Sequence, residues 1–234
     1  MNALRGKRAV VTGGTSGIGK ATVKALVAKG AQVTVVSRRD ANADTIRGDV
    51  TSAEVAAKVM REVKPDLLVL SAGVTPTMGR FDELDWASFS EAWNVDLQAT
   101  FHFLKQALSM PRGSAVVVVS SGAALNGSPF SGGYAGAKRM QWWLADYAQR
   151  VSNERDLGVR FSTVVPDQLV IGTTIGTTAA TAYGAMAGMT AEAFMQQRYE
   201  VQLDVDMVAS AIVKALEGET SSVAVKGTGL RALP

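Results

Sequence analysis

The sequence has no cysteine and a single histidine, His102. The lack of cysteine excludes disulfide bonds and thiolate chemistry. One histidine without cysteine neighbours argues against a metal site. The N-terminal residues lack the apolar stretch and cleavage site of a signal peptide, and no apolar run approaches the length of a membrane span. We therefore expect a cytoplasmic protein that binds no metal and does not enter a membrane.

Charge of either sign is also sparse. The 24 Lys and Arg against 21 Asp and Glu give a net charge of +3, and the basic residues are spread along the chain. Nucleic-acid-binding proteins usually carry a basic face with stacking aromatic residues, so we expect no nucleic-acid partner. With 47% hydrophobic residues, the 234 residues can bury a substantial core, and we expect one domain over residues 1–234.

Short apolar runs rich in β-branched residues alternate with segments of helical spacing. Continuous hydrophobicity is typical of strands that are buried on both faces of a parallel sheet. The alternation predicts an α/β fold: a Rossmann-like, doubly wound sheet of about seven strands with helices on both faces. The predicted strands are 9–11, 33–36, 45–48, 67–70, 115–119, 161–165 and 223–225. The predicted helices are 17–29, 53–63, 85–110, 134–154 and 204–217.

Two stretches depart from this alternation. Residues 39–45 leave no room for a full helix, so we predict a short loop for the second crossover. Residues 166–200 are rich in Gly, Ala, Thr and Met and show no clear pattern. A long unpatterned stretch inside a compact domain is typical of a binding loop or lid, and we predict that it contributes to a substrate site.

A glycine cluster follows the first strand and opens the first helix. Gly13 permits a tight turn, Gly17 lets the backbone approach a pyrophosphate, and Gly19 lets the helix pack closely on the strand. The N-terminus of the helix then offers free N–H groups to the anion. The pattern predicts a dinucleotide-binding loop, to which we assign Gly13, Thr15, Ser16, Gly17, Ile18 and Gly19.

Tyr134 and Lys138 stand four residues apart in a predicted helix and therefore share one face. An unperturbed tyrosine titrates near ~10, and an adjacent ammonium group favours the phenolate and lowers the pKa. The pair alone is a weak signal, because the plain alternative is a solvated helix face. A dinucleotide bound near the pair would act as a hydride donor, and hydride transfer is a reaction in which an acid–base pair is used.

The Gly-x-x-x-Gly-x-Gly spacing together with Tyr134-x-x-x-Lys138 resembles the short-chain dehydrogenase/reductase family, from Lys7 to about Gly227. The resemblance implies that Tyr134 is the acid–base catalyst and that Ser121 holds the substrate oxygen. It implies that Lys138 tunes Tyr134 and binds the nicotinamide ribose. It also implies that Asn94 holds a water molecule that links Lys138 to solvent. Ser120 is the rival of Ser121, but its side chain should point the other way if the strand continues.

The end of the second strand bears on which cofactor is preferred. NAD needs a carboxylate at this place for the ribose hydroxyls, whereas the 2′-phosphate of NADP needs a cation. Ser37 stands where NAD-preferring relatives commonly have aspartate, and Arg38 offers a planar fork to phosphate. Arg39 either stacks on the adenine or is solvated. We predict NADP(H) as the cofactor, with Ser37, Arg38 and Arg39 at its 2′-phosphate end.

The resemblance implies further cofactor contacts after the third and fourth strands. Asp49 and Val50 match the family's adenine contact, although Asp49 could instead belong to a helix N-terminus. Ala72 and Gly73 follow Ser71, which stands where the family usually has asparagine.

After the sixth strand the family usually has Pro-Gly, whereas this chain has Pro166-Asp167. The contact that the following residues make with the nicotinamide is therefore open among Ile171, Thr173 and Thr174. We assign Pro166 and Thr173 to the cofactor site.

Side chains expected around Ser121 and Tyr134 are nearly all apolar, and no Arg or Lys stands out as a carboxylate clamp. They are Val74, Met78, Ala123, Leu125, Phe130 and residues of the 166–200 stretch. We predict hydride transfer between NADP(H) and a small apolar carbonyl/alcohol or imine/amine substrate. The alternatives are a 3-oxoacyl-thioester ketoreductase and a non-catalytic regulator that senses NADP. The resemblance also implies a homotetramer or homodimer.

Overall fold

An eight-stranded sheet forms the centre of the fold, in a computed structural model that describes residues 3–38 and 44–233. Its strand order is β10-β9-β6-β5-β4-β1-β2-β3, and every neighbouring pair is parallel except β9 and β10. A separate small sheet pairs β7 with β8. The strands are β1 (Arg8–Thr12), β2 (Gln32–Ser37), β3 (Asp44–Arg47), β4 (Leu67–Leu70), β5 (Ala115–Val119), β6 (Arg160–Pro166), β7 (Val170–Ile171), β8 (Leu203–Asp204), β9 (Val223–Lys226) and β10 (Gly229–Ala232).

Helices cover both faces of the main sheet. They are α1 (Gly17–Ala28), α2 (Ala53–Val63), α3 (Trp86–Ala92), α4 (Gln98–Ala107), α5 (Ala123–Asn126), α6 (Tyr134–Glu154), α7 (Thr174–Met186), α8 (Ala191–Arg198) and α9 (Val205–Glu217). A π-helical turn, Trp93–Leu97, joins α3 to α4. Within the described residues, no helix has both the length and the apolar character needed to cross a bilayer.

Two apolar layers explain why the central strands are hydrophobic without alternation. Successive strand residues point to opposite faces. In β1, Val10 lies in a cluster with Phe103 of α4, while Val11 lies in the other cluster with Leu26 of α1 and Ile212 of α9. Because each face is covered by helices, every position of β4 and β5 is buried. The doubly wound α/β fold expected from the sequence is confirmed.

The structure departs from the expected elements in three places. Strand β10 adds an antiparallel edge strand that was not predicted. The predicted helix 85–110 is interrupted by the π-helical turn Trp93–Leu97. The stretch 166–200 contains helices α7 and α8 instead of a long irregular loop. The predicted short loop after β2 lies mostly outside the described residues.

The strand order also locates a crevice. The chain builds the sheet outward from β1 through β2 to β3, and then outward from β4 through β5 to β6. The direction reverses between β1 and β4, and ligands of such sheets bind at the carboxyl ends of the strands next to this reversal. The glycine loop follows β1, and Ser121 follows β5 on the same edge of the sheet.

Candidate active site

The end of β1 is tied to the end of β4 by a buried threonine. The Thr12 hydroxyl oxygen accepts hydrogen bonds from the backbone N–H groups of Ser71 and Ala72, both at 3.2 Å. Gly13 follows with a φ of +70°, and a Cβ there would lie 2.8 Å from the Ala72 Cα. The glycine loop and the segment after β4 are therefore in direct contact. Only glycine fits at position 13, because any side chain there would collide with Ala72.

The rest of the glycine loop packs against the start of α1 and against the segment before α7. Gly17 has a φ of +49°, and a Cβ there would lie 3.3 Å from Cγ2 of Thr173. A Cβ on Gly19 would fall on the carbonyl oxygen of Gly13. Ser16 is the N-cap residue of α1, and its side chain makes no capping hydrogen bond. The loop is therefore a backbone-lined cradle at a helix N-terminus, which is the arrangement that binds phosphate groups.

The other end of the expected cofactor site lies at the ends of β2 and β3. Arg38 is exposed, and its carbonyl oxygen accepts a hydrogen bond from Nε of Arg47 at 3.2 Å. Arg47 was not singled out from the sequence, because only the pairing of β3 with β2 brings it beside Arg38. Arg39 lies outside the described residues. The two arginines Arg38 and Arg47 make this corner of the molecule basic.

Asp49 closes a turn before α2. Its Oδ1 accepts from the backbone N–H and the hydroxyl of Thr51, at 2.9 and 2.8 Å. These two hydrogen bonds lower the pKa of Asp49, and the charge of Arg38 lowers it further. The N-cap residue of α2 is Ser52, so Asp49 does not cap the helix itself. Val50 beside it is half-buried against the core.

Tyr134 and Ser121 line the same cavity, which has a volume of about 410 Å³. Tyr134 is the first residue of α6 and is buried. Ser120 is also buried, but its hydroxyl donates to the carbonyl oxygen of Lys138 at 2.8 Å. The alternation along the chain after β5 thus turns Ser121 toward the cavity and Ser120 toward α6.

A buried ion pair lies behind Tyr134. Nζ of Lys138 is 3.0 Å from Oδ2 of Asp96 and 5.4 Å from the centroid of the Tyr134 ring. The other oxygen of Asp96 accepts a hydrogen bond from the backbone N–H of Val74 at 2.8 Å. A Cβ on Gly73 would lie 2.6 Å from Oδ2 of Asp96. Gly73 therefore leaves the space that the carboxylate occupies.

The surroundings of Tyr134 raise the pKa of its phenol. Burial has the largest effect, and the negative charge of Asp96 acts in the same direction. The cation of Lys138 and a hydrogen bond with Ser121 lower the pKa, but they do not outweigh the burial. Lys138 thus lowers the pKa of Tyr134, as the sequence predicts, but the pKa of Tyr134 is raised overall. Burial also opposes the Lys138 cation, but Asp96 and Tyr134 more than compensate, and the pKa of Lys138 is raised.

Asn94 is not placed as expected. Its side chain is exposed, and its amide donates to the hydroxyl of Ser90 at 3.3 Å. The π-helical turn instead brings Asp96, which is 0% exposed, to Lys138. The structure therefore puts Asp96, and not Asn94, beside Lys138. Asn94 matches the family by residue type, but it is Asp96, two residues later, whose side chain faces the interior.

The 166–200 stretch contributes much of the remaining cavity wall. Leu169, Ile175, Ala179 and Tyr183 line it together with Met78 and Ala123. Phe130 is not a lining residue; its ring packs at a tilt of 46° against Tyr183, with ring centroids 5.9 Å apart. By contrast, Val74 and Leu125 pack into apolar clusters.

Two charged residues, Asp167 and Arg198, also line the cavity, although no Arg or Lys stands out from the sequence as a carboxylate clamp. Asp167 lies 3.4 Å from Lys226 and 4.0 Å from Arg231, so its charge is balanced from outside the cavity. Arg198 is exposed at the cavity wall, with its guanidinium 6.0 Å from the centroid of the Phe194 ring.

The residues after β6 have defined local roles. The carbonyl oxygen of Pro166 accepts from the N–H of Gly122 at 2.7 Å, which joins the ends of β5 and β6. Thr173 is the N-cap residue of α7: its hydroxyl accepts from the N–H of Gly176 at 2.9 Å and donates to the carbonyl oxygen of Val170 at 2.8 Å. Ile171 lies in β7 with 46% of its surface exposed. The choice of Thr173 as the nicotinamide contact stays a prediction.

The fold and the shared cavity define an α/β protein with a dinucleotide-type crevice beside a tyrosine–lysine pair. A family model described as short chain dehydrogenase matches residues 7–181. The chain belongs to the short-chain dehydrogenase family.

Two curated relatives illustrate the similarity. A 2,5-dichloro-2,5-cyclohexadiene-1,4-diol dehydrogenase of Sphingobium indicum is 31% identical over 193 residues, which cover 71% of this chain and 74% of the relative. A protein of Streptomyces antibioticus named "Probable oxidoreductase" is 34% identical over 152 residues, or 54% of this chain. The matched region spans about half the length of that relative, 49%.

Solved structures share the fold at low sequence identity. Levodione reductase has a TM-score of 0.80 and 21% identity, covering 94% of this chain and 96% of that chain. The aldohexose dehydrogenase of Thermoplasma acidophilum has a TM-score of 0.79 and 21% identity, covering 97% and 94%. These likenesses establish the fold.

Members of this family use a nicotinamide cofactor, and the residues of the crevice fit one. The cradle at Gly13, Gly17 and Gly19 is lined by backbone where side chains would collide, and it opens the first turn of α1. These residues would hold the pyrophosphate, with Ala72 and Gly73 on the β4 side. Within residues 3–38 and 44–233, no group of three or more His, Asp or Glu side chains is placed to hold a metal ion.

The bonds of Thr12 give a stability test with a matched control. Replacing Thr12 by Val removes the acceptor of two backbone N–H groups, and we expect a loss of about 1–3 kcal/mol in the free energy of unfolding. Thr163 is equally buried, at 0% against 2% exposure, but its hydroxyl has no hydrogen-bond partner among the described residues. Thr163→Val should therefore be neutral or stabilising. Urea unfolding measures both, and equal effects of the two changes would contradict the role of Thr12.

Proposed function

We propose that the protein is an NADP(H)-dependent oxidoreductase that interconverts a small, largely apolar carbonyl compound and its alcohol. The observation that carries this proposal is that Ser121 and Tyr134 line one cavity while Lys138 lies behind the phenol. The cavity has the size of a small-molecule site. The cavity and the glycine cradle lie at the same edge of the sheet, which is consistent with a hydride donor and an acid acting on the same substrate.

Each side chain of the cavity has a distinct task in this reaction. The nicotinamide, when bound, supplies the hydride for reduction and accepts it in oxidation. The phenol of Tyr134 gives a proton to the substrate oxygen as negative charge develops there, and takes it back in oxidation. The hydroxyl of Ser121 donates a hydrogen bond to the same oxygen. Lys138 stabilises the phenolate by its charge and binds the ribose. Asn94 has no place in this scheme, because its exposed amide is bonded to Ser90.

The preference for NADP(H) is supported by the basic corner formed by Arg38 and Arg47. In the described part of this corner, β2 ends at Ser37 and is followed by Arg38, neither of which carries a carboxylate. Two guanidinium groups suit a dianionic 2′-phosphate, which arginine binds through paired hydrogen bonds. Asp49 lies close enough to Arg38 to feel its charge. We infer that Arg38 makes the main contact.

Two alternatives have less support. An acyl-thioester ketoreductase would need a basic patch for a phosphorylated carrier, and the cavity wall has one exposed cation, Arg198, among the described residues. A regulator that only senses NADP would have no need for Ser121, Tyr134 and Lys138 in one place. Arg198 at the cavity wall is compatible with a polar or acidic group on an otherwise apolar substrate.

Self-association is supported by large apolar side chains on the outer faces of α4 and α6. Phe101, Trp143 and Tyr147 are 45%, 44% and 46% exposed. Such a concentration of exposed aromatic residues is typical of an interface. We infer a homodimer or homotetramer in which these helices meet their copies.

Removing the phenol hydroxyl tests the function directly. In Tyr134→Phe we expect kcat to fall at least about 100-fold, because the acid is lost, while the affinity for NADPH is unchanged. Ketone reduction followed by NADPH absorbance and NADPH binding followed by calorimetry measure the two effects. Tyr147→Phe, on the outer face of the same helix, is the control: it removes the same hydroxyl, keeps the ring for the inferred interface, and should keep full activity. Undiminished turnover of Tyr134→Phe would refute the assignment.

Arg38→Gln tests the cofactor preference. We expect kcat/KM for NADPH to fall at least about tenfold, the effect of losing a charge-assisted hydrogen bond, with little change for NADH. Arg61→Gln, an exposed change on α2, is the control. Steady-state kinetics with both cofactors decide the matter, and a wild-type enzyme with a higher kcat/KM for NADH would rule out the NADP preference.

A further inference from the structure

We propose that Asp96 is a positioning residue that fixes Lys138 through a buried ion pair and thereby sets the pH range in which Tyr134 works. The proposal deepens the proposed function and rests on it, since Tyr134 is taken as the acid–base catalyst. Asp96 itself need not contact substrate or cofactor, and it acts through Lys138 and through its own charge.

The carboxylate of Asp96 is held by a set of contacts that leave it little freedom. Oδ1 accepts from the backbone N–H of Val74 at 2.8 Å, and Oδ2 lies 3.0 Å from Nζ of Lys138. Oδ2 has no hydrogen-bond partner with good geometry in the described part of the chain, so the ammonium is what compensates it. A buried carboxylate without a cation is strongly destabilising. The contact therefore holds the lysine as much as it holds the aspartate.

The backbone is shaped to admit this carboxylate. The π-helical turn Trp93–Leu97 carries Asp96 inward, and π turns of this kind are frequent at functional sites. Gly73 lies against the carboxylate, and a Cβ there would come within 2.6 Å of Oδ2. Lys138 in turn reaches the Tyr134 ring at 5.4 Å. The π-helical turn, the segment after β4 and Tyr134 thus all lie against the buried Asp96–Lys138 ion pair.

The charge count of this cluster determines how readily Tyr134 ionises. With Asp96 and Lys138 both charged, the cluster is neutral while the phenol is protonated and carries a net charge of −1 once it is ionised. With a neutral side chain in place of Asp96, ionisation of Tyr134 would instead create a neutral pair with Lys138. A net charge in a buried site is costly, so Asp96 favours the protonated phenol.

The other charged and titratable groups around the cavity do not cancel this effect. From the segment after β6, Asp167 faces the cavity but is balanced by Lys226 and Arg231. From α8, Arg198 is exposed, and its charge is screened by solvent. The phenols Tyr183 of α7 and Tyr199 after α8 complete the set. All of these groups are unchanged in a variant at Asp96, so a comparison isolates its charge.

The catalytic consequence is a shift of both pH profiles toward alkaline values. Carbonyl reduction uses the protonated phenol and keeps its full rate until Tyr134 ionises. Alcohol oxidation uses the phenolate and rises only as Tyr134 ionises. When the Asp96 charge is removed, the alkaline limb of the reduction profile and the acidic limb of the oxidation profile should both move to lower pH.

The kinetic test is the pH dependence of kcat/KM in both directions for Asp96→Asn. We expect the alkaline limb of reduction and the acidic limb of oxidation to move to lower pH by about one unit or more, the usual effect of a like charge at this range. Asp82→Asn, an exposed change near α3, is the matched control and should leave both limbs in place. Lower rates at every pH without a movement of the limbs would show a merely structural role and overturn the proposal.

A second readout is independent of turnover. The near-ultraviolet absorbance of tyrosinate gives the ionisation of Tyr134 when the titration of Tyr134→Phe is subtracted from that of the wild type. The same subtraction is made for Asp96→Asn with and without Tyr134→Phe. We expect the Tyr134 midpoint to fall when Asp96 is neutralised, and an unchanged or higher midpoint overturns the proposal. If the midpoint falls but no NADPH oxidation occurs with any carbonyl compound, the proposed function fails while the role of Asp96 stands.

A second variant keeps the test decisive if Asp96→Asn does not fold, as judged by circular dichroism. Asp96→Ser removes the same charge with a smaller side chain and should move both limbs and the Tyr134 midpoint in the same direction. Limbs and a midpoint that stay in place in this variant would overturn the proposal.

Discussion

The ion pair between Lys138 and Asp96 links the elements on which the candidate active site depends. It joins α6 to the π-helical turn between α3 and α4, and through Val74 it reaches the segment after β4. Two opposite charges in a dry interior stabilise each other only when both are held in place. The pair therefore requires the space beside Gly73, and it fixes the lysine behind Tyr134.

The second constraint is the reversal of strand order between β1 and β4. It leaves a crevice at the carboxyl edge of the sheet. Thr12 joins the ends of β1 and β4 there, because its hydroxyl oxygen accepts hydrogen bonds from the N–H groups of Ser71 and Ala72. The glycine cradle lies on one side of this crevice and the Ser121–Tyr134 cavity on the other. A cofactor in the cradle and a substrate in the cavity would therefore both bind at the carboxyl edge of the sheet.

Much of the fold was predictable, because its signals are local. Buried parallel strands such as β5 are apolar at every position, and α6 begins and ends at the residues that its spacing predicts. The glycine loop and the turn of Ser121 toward the cavity also follow from local rules. Strand β10 and helices α7 and α8 were missed, because their sequences lack strong periodicity and are stabilised by neighbours that only the fold provides.

The site was harder to predict wherever one residue's direction depends on an irregular backbone. A regular helix over 85–110 hides the π-helical turn, so Asn94 was chosen by residue type although Asp96 faces inward. The upward shift in the pKa of Tyr134 was missed because it depends first on burial, which only the folded chain provides, and then on the charge of Asp96. Arg198 belongs to the cavity because α8 folds over it, which no local pattern indicates.

The central claim is hydride transfer from NADPH to a carbonyl carbon in the Ser121–Tyr134 cavity. The most direct measurement uses NADPH deuterated at both C4 positions with a panel of apolar ketones and aldehydes, and mass spectrometry of the products. The account predicts alcohols that carry a single deuterium on the former carbonyl carbon, formed by the wild type and not by Tyr134→Phe. Alcohols without deuterium, or no alcohol from any compound of the panel, would contradict it.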